Sequence, residues 1–406
     1  MLNFIWAGFF IVGFVAACLQ SFVDGAVWNN ISMGIFEAAK TGFRISINLT
    51  GLLCLWMGIL KIAESVGITE FLAKLLRPLF AKIFPDVPQN SPAFGSIIMN
   101  IAANMLGLDN AATPMGLKAM EQLQEINPHK SRASNAQVLF IVLNSSALTI
   151  IPIAILMYRM ELGAANPSAV FIPILIATSV STLVAFLSVA LLQKLNIFNR
   201  VVLAYLAVFL CFIAFLTYGF SLLPADKKLS LSTEISNFIL IAVIVLFISL
   251  GLLKKINVYE TFIVGAKEGF DVAVKIIPYL VAMLCAISVF RASGAVDLLI
   301  AALDKCFSWL GMDTDFVPAL PTAFMKPLSG SGARAMMIET MQNFGPDSFP
   351  AFVSCIVQGA SETTFYVFAV YFGAVRISKT GSALGCALLA DLAGIISAIW
   401  AAYLFY

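Results

Sequence analysis

Charge is scarce in this chain of 406 residues: Asp, Glu, Lys and Arg make up 11% of it, against about 25% in a soluble domain. Histidine is nearly absent, with His129 standing alone in a polar stretch, so His-based metal or nucleophile chemistry is not expected. The seven cysteines, Cys18, Cys54, Cys211, Cys285, Cys306, Cys355 and Cys386, lie singly and mostly inside apolar runs. With no Cys-x-x-Cys pair they read as packing residues, not as a disulfide or zinc framework. No Lys/Arg cluster interleaves with aromatics and the net charge is +2, which excludes a nucleic-acid surface. A basic n-region is also missing: Val15-Ala16-Ala17-Cys18 looks like a lipoprotein cleavage box, but the first basic residue is Lys40. Residues 3–22 are therefore expected to be a retained membrane helix.

What the chain has in abundance is apolar sequence, 61% of all residues, with a mean hydropathy of +0.96. A hydrocarbon core about 30 Å thick takes roughly 20 apolar residues per helical crossing. Runs of that length fall at 3–22, 43–63, 134–157, 169–193, 199–222, 236–253, 271–290, 348–374 and 380–404, which predicts nine crossings. Short amphipathic segments are expected between several of them. Two further stretches, 91–127 and 317–345, are interrupted near their middles by Gly, Pro, Asn and Asp, and each predicts two half-helices around a turn.

Lys and Arg accumulate in cytoplasmic loops. Lys194 with Arg200, Lys254 with Lys255, Arg376 with Lys379, and Lys74, Arg77 and Lys82 mark four inside segments. Asp297, Asp304, Asp313 and Asp315 against Lys305 mark an outside one. Together they place the N-terminus inside and the C-terminus outside, and make both interrupted stretches re-entrant hairpins entering from opposite faces.

The sequence repeats itself in step with that topology. Ala39-Lys-Thr-Gly-Phe43 recurs as Ala266-Lys-Glu-Gly-Phe270, with Gly67 and Gly294 at matching distances beyond. Asn144-Ser-Ser-Ala-Leu-Thr149 aligns with Gln358-Gly-Ala-Ser-Glu-Thr363. The expected fold is an all-α integral membrane protein of two inverted-topology repeats, 1–198 and 236–406, each with a re-entrant broken-helix hairpin. A linking helix and loop, 199–235, join them.

In such architectures the binding site lies near the midplane, where broken helices leave backbone groups that only protein or a wet cavity can satisfy. The first hairpin supplies Asn100, Asn104, Asp109, Asn110 and Thr113, with Pro114 read as opening its second half-helix. The second supplies Ser329, Gly330, Ser331 and Gly332, whose glycines admit close backbone approach. The crossings that follow add Asn144, Ser145, Ser146 and Thr149, and Gln358, Ser361, Glu362 and Thr363. Glu362 stands out, because an ionisable group in a spanning run is costly and faces a cavity or a partner. Its bland alternative is structural pairing with Lys326 or Arg334. Asp391 in the last crossing is a weaker candidate of the same kind. No catalytic residue is expected. Ser331 has no adjacent base, Gly330-Ser-Gly-Ala-Arg334 lacks the ending of a phosphate loop, and nothing has metal-ligand spacing.

Two long stretches resemble a known family. Phe84-Pro-Asp-Val-Pro88 and Gly107-Leu-Asp-Asn-Ala-Ala-Thr-Pro-Met-Gly-Leu-Lys-Ala-Met-Glu121 are similar to spore maturation protein A. Tyr259-Glu-Thr-Phe-Ile-Val-Gly-Ala-Lys-Glu-Gly269, Phe290-Arg-Ala-Ser-Gly-Ala295, Pro327-Leu-Ser-Gly330 and Gln358-Gly-Ala-Ser-Glu-Thr-Thr364 are similar to spore maturation protein B. The chain resembles the two fused, within the nucleoside-recognition or Gate-domain group. That resemblance implies kinship with concentrative nucleoside transporters and with the membrane part of ferrous iron transporters, a cytoplasmic (inner) membrane location, and an acidic residue at Glu362. The expectation is a transporter or facilitator of a small polar solute, nucleoside-like or anionic, with the bilayer and that solute as partners. A homo-oligomer is compatible with it. No cofactor is expected, and H⁺ or Na⁺ as coupling ion stays open. A non-transporting envelope scaffold and a passive channel are the alternatives.

Overall fold

The computed structural model describes all residues except Met1, Val23, Asp24 and Ala147, and all side chains except those of Leu2, Asp109, Asn110, Ala111, Ala225 and Asp226. The first half of the chain forms α1 (Leu2–Gln20), α2 (Val27–Ser65), α3 (Ile68–Ile83), α4 (Pro92–Met105), α5 (Asp109–Ile126), α6 (Asn135–Ser146), α7 (Ile153–Glu161), α8 (Phe171–Leu192) and α9 (Arg200–Ser221). The rest forms α10 (Ala225–Leu253), α11 (Val258–Ala292), α12 (Ala295–Trp309), α13 (Leu320–Leu328), α14 (Gly330–Phe344), α15 (Phe349–Gly359), α16 (Thr364–Ala374) and α17 (Ala383–Phe405). Single 3-10 turns at Pro167–Val170 and Val317–Ala319 complete the described residues, which contain no named strand.

Seven of these helices, α1, α2, α8, α9, α10, α11 and α17, are long and apolar enough to cross a membrane. Their outward faces carry large apolar side chains in the open, such as Phe4 at 79%, Phe215 at 74% and Phe238 at 73% exposure. A water-facing surface does not tolerate so much contiguous apolar area, whereas a bilayer covers it. The protein is a multi-pass membrane protein.

Two of the nine expected crossings are interrupted. The run 134–157 divides into α6 and α7, and 348–374 into α15 and α16. In the first, the Asn144 side chain donates to Phe140 O (2.9 Å), and the Ser145 and Ser146 hydroxyls donate to Val142 O and Leu143 O (both 3.1 Å). Such back-bonding competes with the helical ladder, and Pro152, which has no N–H, blocks its continuation. In the second, Gly359 ends α15 and Thr363, in an extended conformation, precedes α16. The two interrupted stretches fold as expected into helix pairs, α4 against α5 and α13 against α14.

A second correction concerns length. The amphipathic segments expected before the crossings at 43–63 and 271–290 are not separate helices. They run straight into those crossings, making α2 39 and α11 35 residues long. At 1.5 Å per residue these span about 58 and 52 Å, well beyond the hydrocarbon core. Gly42 and Gly269 fall at the junctions, but both keep helical backbone, packed tightly against the partner helix, so neither ends it.

α2 and α11 pack antiparallel along most of their length, and small residues set how close they come. A methyl added at Gly269 would lie 2.6 Å from Leu53 O, and one at Gly42 3.1 Å from Val281 Cα. One at Gly265 would collide with Met57 O. Gly265 and Gly269 are one turn apart, the small-xxx-small spacing by which membrane helices approach backbone to backbone. At the ends of this pair, Gly67 (φ +74°) and Gly294 (φ +75°) turn the chain into α3 and α12. Their left-handed backbone explains why glycine occurs at both points. Gly265→Ala is expected to destabilise the fold by about 1–3 kcal/mol, since the clash is with backbone. Gly51→Ala, where a methyl meets nothing within 4 Å, is expected to leave it unchanged; thermal unfolding in detergent compares the two.

Candidate functional site

Four interruptions of helix meet in one place. In the first hairpin the chain reverses at Gly107 (φ +71°), and α5 begins at Asp109, so Pro114 lies inside α5 and does not open it. The reversal is the reason: the left-handed glycine already redirects the chain, and the new helix starts directly after it. Asn100 spans the hairpin, donating from Nδ2 to Ala112 O at 2.8 Å. In the second hairpin Ser329 separates α13 from α14, its hydroxyl accepting from Gly332 N at 3.0 Å as an N-cap. The remaining two interruptions are the breaks between α6 and α7 and between α15 and α16.

These four segments bond to one another. Glu362 N–H, in the second break, donates to Ser145 O at the first (2.8 Å), and Ile150 N–H donates to Met105 O at the first hairpin's turn (3.0 Å). Asn104 Nδ2 donates to Asn144 Oδ1 at 2.9 Å. Gly330 lies so close to Thr363 that a methyl there would fall 2.7 Å from Thr363 Oγ1. The close approach that this glycine permits is therefore to the second break. Below it Asp391, 2% exposed, accepts from Thr364 Oγ1 at 2.6 Å. It lies within reach of the Ser361 hydroxyl and of the charges on Lys326 and Glu362.

Two polar cavities flank this knot, beside a third, apolar one next to Asn104, Met105 and Leu148. The larger, about 250 Å³, is walled by α2, α7, the start of α14 and the second break; its polar lining is Thr149, Lys326, Arg334, Gln358, Ser361, Glu362 and Thr363, with Gly330 at the helix start. The smaller, about 210 Å³, lies beside α5 and α16 and is lined by Asn104, Thr113, Asn144, Glu362, Tyr366 and Tyr371. α6 runs beside α16 and α7 beside α15, so the cavities sit on either side of the breaks. Glu362 stands in the wall of both. The larger cavity receives the N-termini of α7 and α14, where the dipole is positive, while α5 and α16 line the smaller one through Thr113, Tyr366 and Tyr371.

The sequence-derived residues divide accordingly. Asn104, Thr113, Asn144, Thr149, Gly330, Gln358, Ser361, Glu362 and Thr363 line one or other cavity. Asn100, Ser145, Ser146, Ser329, Ser331 and Gly332 line neither. They hold the breaks and turns in shape, through the bonds given above and a Ser329–Ser331 hydroxyl contact at 3.3 Å. Asp109 and Asn110 start α5, and their side chains lie outside the described residues. Sequence reasoning treated Lys326 and Arg334 only as partners for Glu362, and passed over Tyr158, Tyr366 and Tyr371. The Tyr371 hydroxyl reaches Asn100 and Thr113 in the first hairpin. A tyrosine nine positions after Glu362 in an apolar half-helix was the one available signal, since a buried phenol needs a polar partner.

At the two ends of the bundle, short loops tie the halves of the chain together. Ala133 N–H donates to Lys379 O (3.0 Å), and Ser378 and Lys379 N–H both donate to Ser131 O (3.2 and 3.1 Å). At the other end Arg159, 1% exposed, bonds to Pro346 O (2.8 Å), Pro167 O (3.2 Å), Asn166 O (3.3 Å) and the Asp347 carboxylate (3.1 Å). Asp347 also accepts from Ala165 N–H at 2.8 Å.

Comparison with known proteins places this site within a family. A model for the Gate family, described as nucleoside recognition, matches residues 46–165 and 273–378, together more than half of the chain. The first segment holds α4 to α7 and the second α13 to α16, so both hairpins and both breaks are included. Spore maturation protein A of Bacillus subtilis is 36% identical over 181 residues, 45% of this chain and 90% of that protein. Spore maturation protein B of the same organism is 44% identical over 170 residues, 41% of this chain and 94% of that protein, and it covers a different part of the chain. The chain belongs to the Gate, or nucleoside-recognition, family and carries in one polypeptide homologues of spore maturation proteins A and B.

Proposed function

We propose that the protein is a membrane transporter or facilitator that binds a small polar solute between two re-entrant hairpins. The observation that carries this is Glu362, whose carboxylate borders both cavities while its backbone N–H bonds across to the other break. A solute held there would pass from one cavity to the other by a rearrangement of half-helices around one fixed carboxylate, as in alternating access.

The order of elements supports reading the chain as two repeats. A long helix, an amphipathic helix, a helical hairpin, a broken helix and a final crossing occur as α2 to α8 and again as α11 to α17. In this reading 1–198 and 236–406 are the repeats, 199–235 joins them, and the second is inverted. Exchange of the repeats turns α5 and α16 into α14 and α7. The loop contacts fit the same exchange: 131–133 against 378–379 at one end, 159–167 against 345–347 at the other. Arg132, Lys194, Arg376 and Lys379 gather at the first end, where Gln193 also bonds to Asn135 O (2.9 Å). That end is cytoplasmic by the positive-inside rule, with the N-terminus on the same side, the C-terminus outside and the cytoplasmic membrane as location.

A scaffold has no use for paired polar cavities with a shared carboxylate, and a passive channel would need the bonds between the breaks to be absent. The relatives' names set the first compounds to try, nucleosides among them, and a role in spore maturation is compatible with solute movement.

Glu362→Gln is expected to lower uptake into proteoliposomes by on the order of tenfold or more, the loss of one charge-assisted contact, with unchanged elution of the folded protein. Cysteine pairs at Ala133 with Lys379, and at Ala165 with Asp347, joined by a short thiol cross-linker after replacement of the exposed Cys211 and Cys306, are expected each to stop uptake until the link is cleaved. A scaffold or channel would be indifferent to both links.

A further inference from the structure

The polar wall of the larger cavity is divided by hydrogen-bonding character. The second hairpin supplies donors. Arg334, one turn into α14, is half-buried and rests its guanidinium over the Tyr158 ring at 5.6 Å from the centroid. Stacking uses the face of the guanidinium and leaves the N–H groups in its plane available for a carboxylate or phosphate. Among the described residues no carboxylate forms an ion pair with it. α14 itself begins in this wall at Gly330, which adds the positive end of a helix dipole. Lys326 lies deeper, 4% exposed, and within electrostatic reach of Asp391.

The acceptors come from the end of α15 and the break after it. Glu362 presents a carboxylate to the cavity. Gln358, four residues earlier and 9% exposed, holds an Oε1 with no hydrogen-bond partner among the described residues. A buried amide oxygen without a donor costs about 1–3 kcal/mol, a penalty that a ligand N–H would remove. The smaller cavity has no such division, being lined by Glu362 with neutral amides and hydroxyls only.

We infer that the solute is a compact zwitterion, its anionic group held by Arg334 at the start of α14 and its ammonium held by Glu362 and Gln358. This rests on the transport reading above and names its substrate class. Two opposite charges on different elements also give a reason for movement. A zwitterion bridging α14 to the second break favours the arrangement that brings both close, and a ligand shifts a conformational equilibrium only by such a difference in affinity. An uncharged nucleoside would leave Arg334 without its anion.

The test uses purified full-length protein with five probes: glycine and 4-aminobutyrate as zwitterions, acetate as anion, methylamine as cation and uridine as neutral nucleoside. Stabilisation against heat reports binding, and uptake into proteoliposomes reports transport. A zwitterion is expected to bind on the order of ten- to hundredfold more tightly than acetate or methylamine. Arg334→Gln is expected to abolish that preference, Arg334→Lys to weaken it, and Glu362→Gln to make acetate and the zwitterion equivalent. Arg334→Lys keeps the charge and serves as the folded control should Arg334→Gln be unstable. Uridine uptake unaffected by Arg334→Gln would overturn this inference and leave transport standing, as would a wild-type protein that no zwitterion stabilises but that moves another probe. Uptake of none of the five would count against both readings.

Discussion

The hydrogen bond from Glu362 N–H to Ser145 O joins two unwound segments inside the helical bundle. A break in a membrane helix releases backbone donors and acceptors, and in hydrocarbon each unsatisfied one costs several kcal/mol. Here the breaks come in pairs and answer one another. The second break donates to the first, the first donates through Ile150 to the turn of the α4–α5 hairpin, and Thr363 packs on Gly330 in the other hairpin. The interruptions are therefore stable only together. That mutual dependence explains why the polar residues of the chain gather at this level while the outer helices stay apolar.

What the knot leaves open is as important as what it closes. Two of the freed backbone N–H groups, those of Glu362 and Ile150, bond within it, while side chains around it face the cavities, Glu362 lining both. The same constraint dictates the frame. α2 and α11 approach at Gly42, Gly265 and Gly269 and are longer than a hydrocarbon core is thick, giving the hairpins a rigid wall to pack against. The Arg159–Asp347 cluster and the Ser131–Lys379 contacts close the ends. Arg159 is buried with four oxygen partners, so its charge is compensated, whereas Arg334 is stacked and open toward the larger cavity.

Much of this was legible in the sequence, for identifiable reasons. The apolar runs announced the membrane, and the interruptions at Asn104–Asn110 and Ser329–Gly332 announced the hairpins, since polar and glycine residues have no other business there. The alignment of Asn144–Thr149 with Gln358–Thr363 singled out the two stretches that now meet. It did not reveal that they unwind, because a hydropathy window averages a short polar gap into its apolar flanks. Nor did it separate residues that line a cavity from those that hold its frame: Ser145 and Thr149 look alike in sequence, and only back-bonding to Val142 O distinguishes the first. Arg334 escaped because its significance depends on Tyr158, which lies in the other half of the chain. Long-range stacking leaves no local pattern. The joining of the segments before 43 and 271 to the crossings was hidden, because Gly42 and Gly269 at the junctions look like stops, and only the close packing of α2 on α11 shows why glycine stands there.

The central claim is that one carboxylate lies between two cavities that open alternately to opposite sides. Single cysteines at Thr149, in the larger cavity, and at Thr113, in the smaller, would be exposed to a membrane-impermeant thiol reagent applied from either side of sealed vesicles. The account predicts that each is labelled from one side only, from opposite sides, and that a condition raising labelling at one lowers it at the other. Labelling of both from the same side, or of both independently of one another, would contradict it.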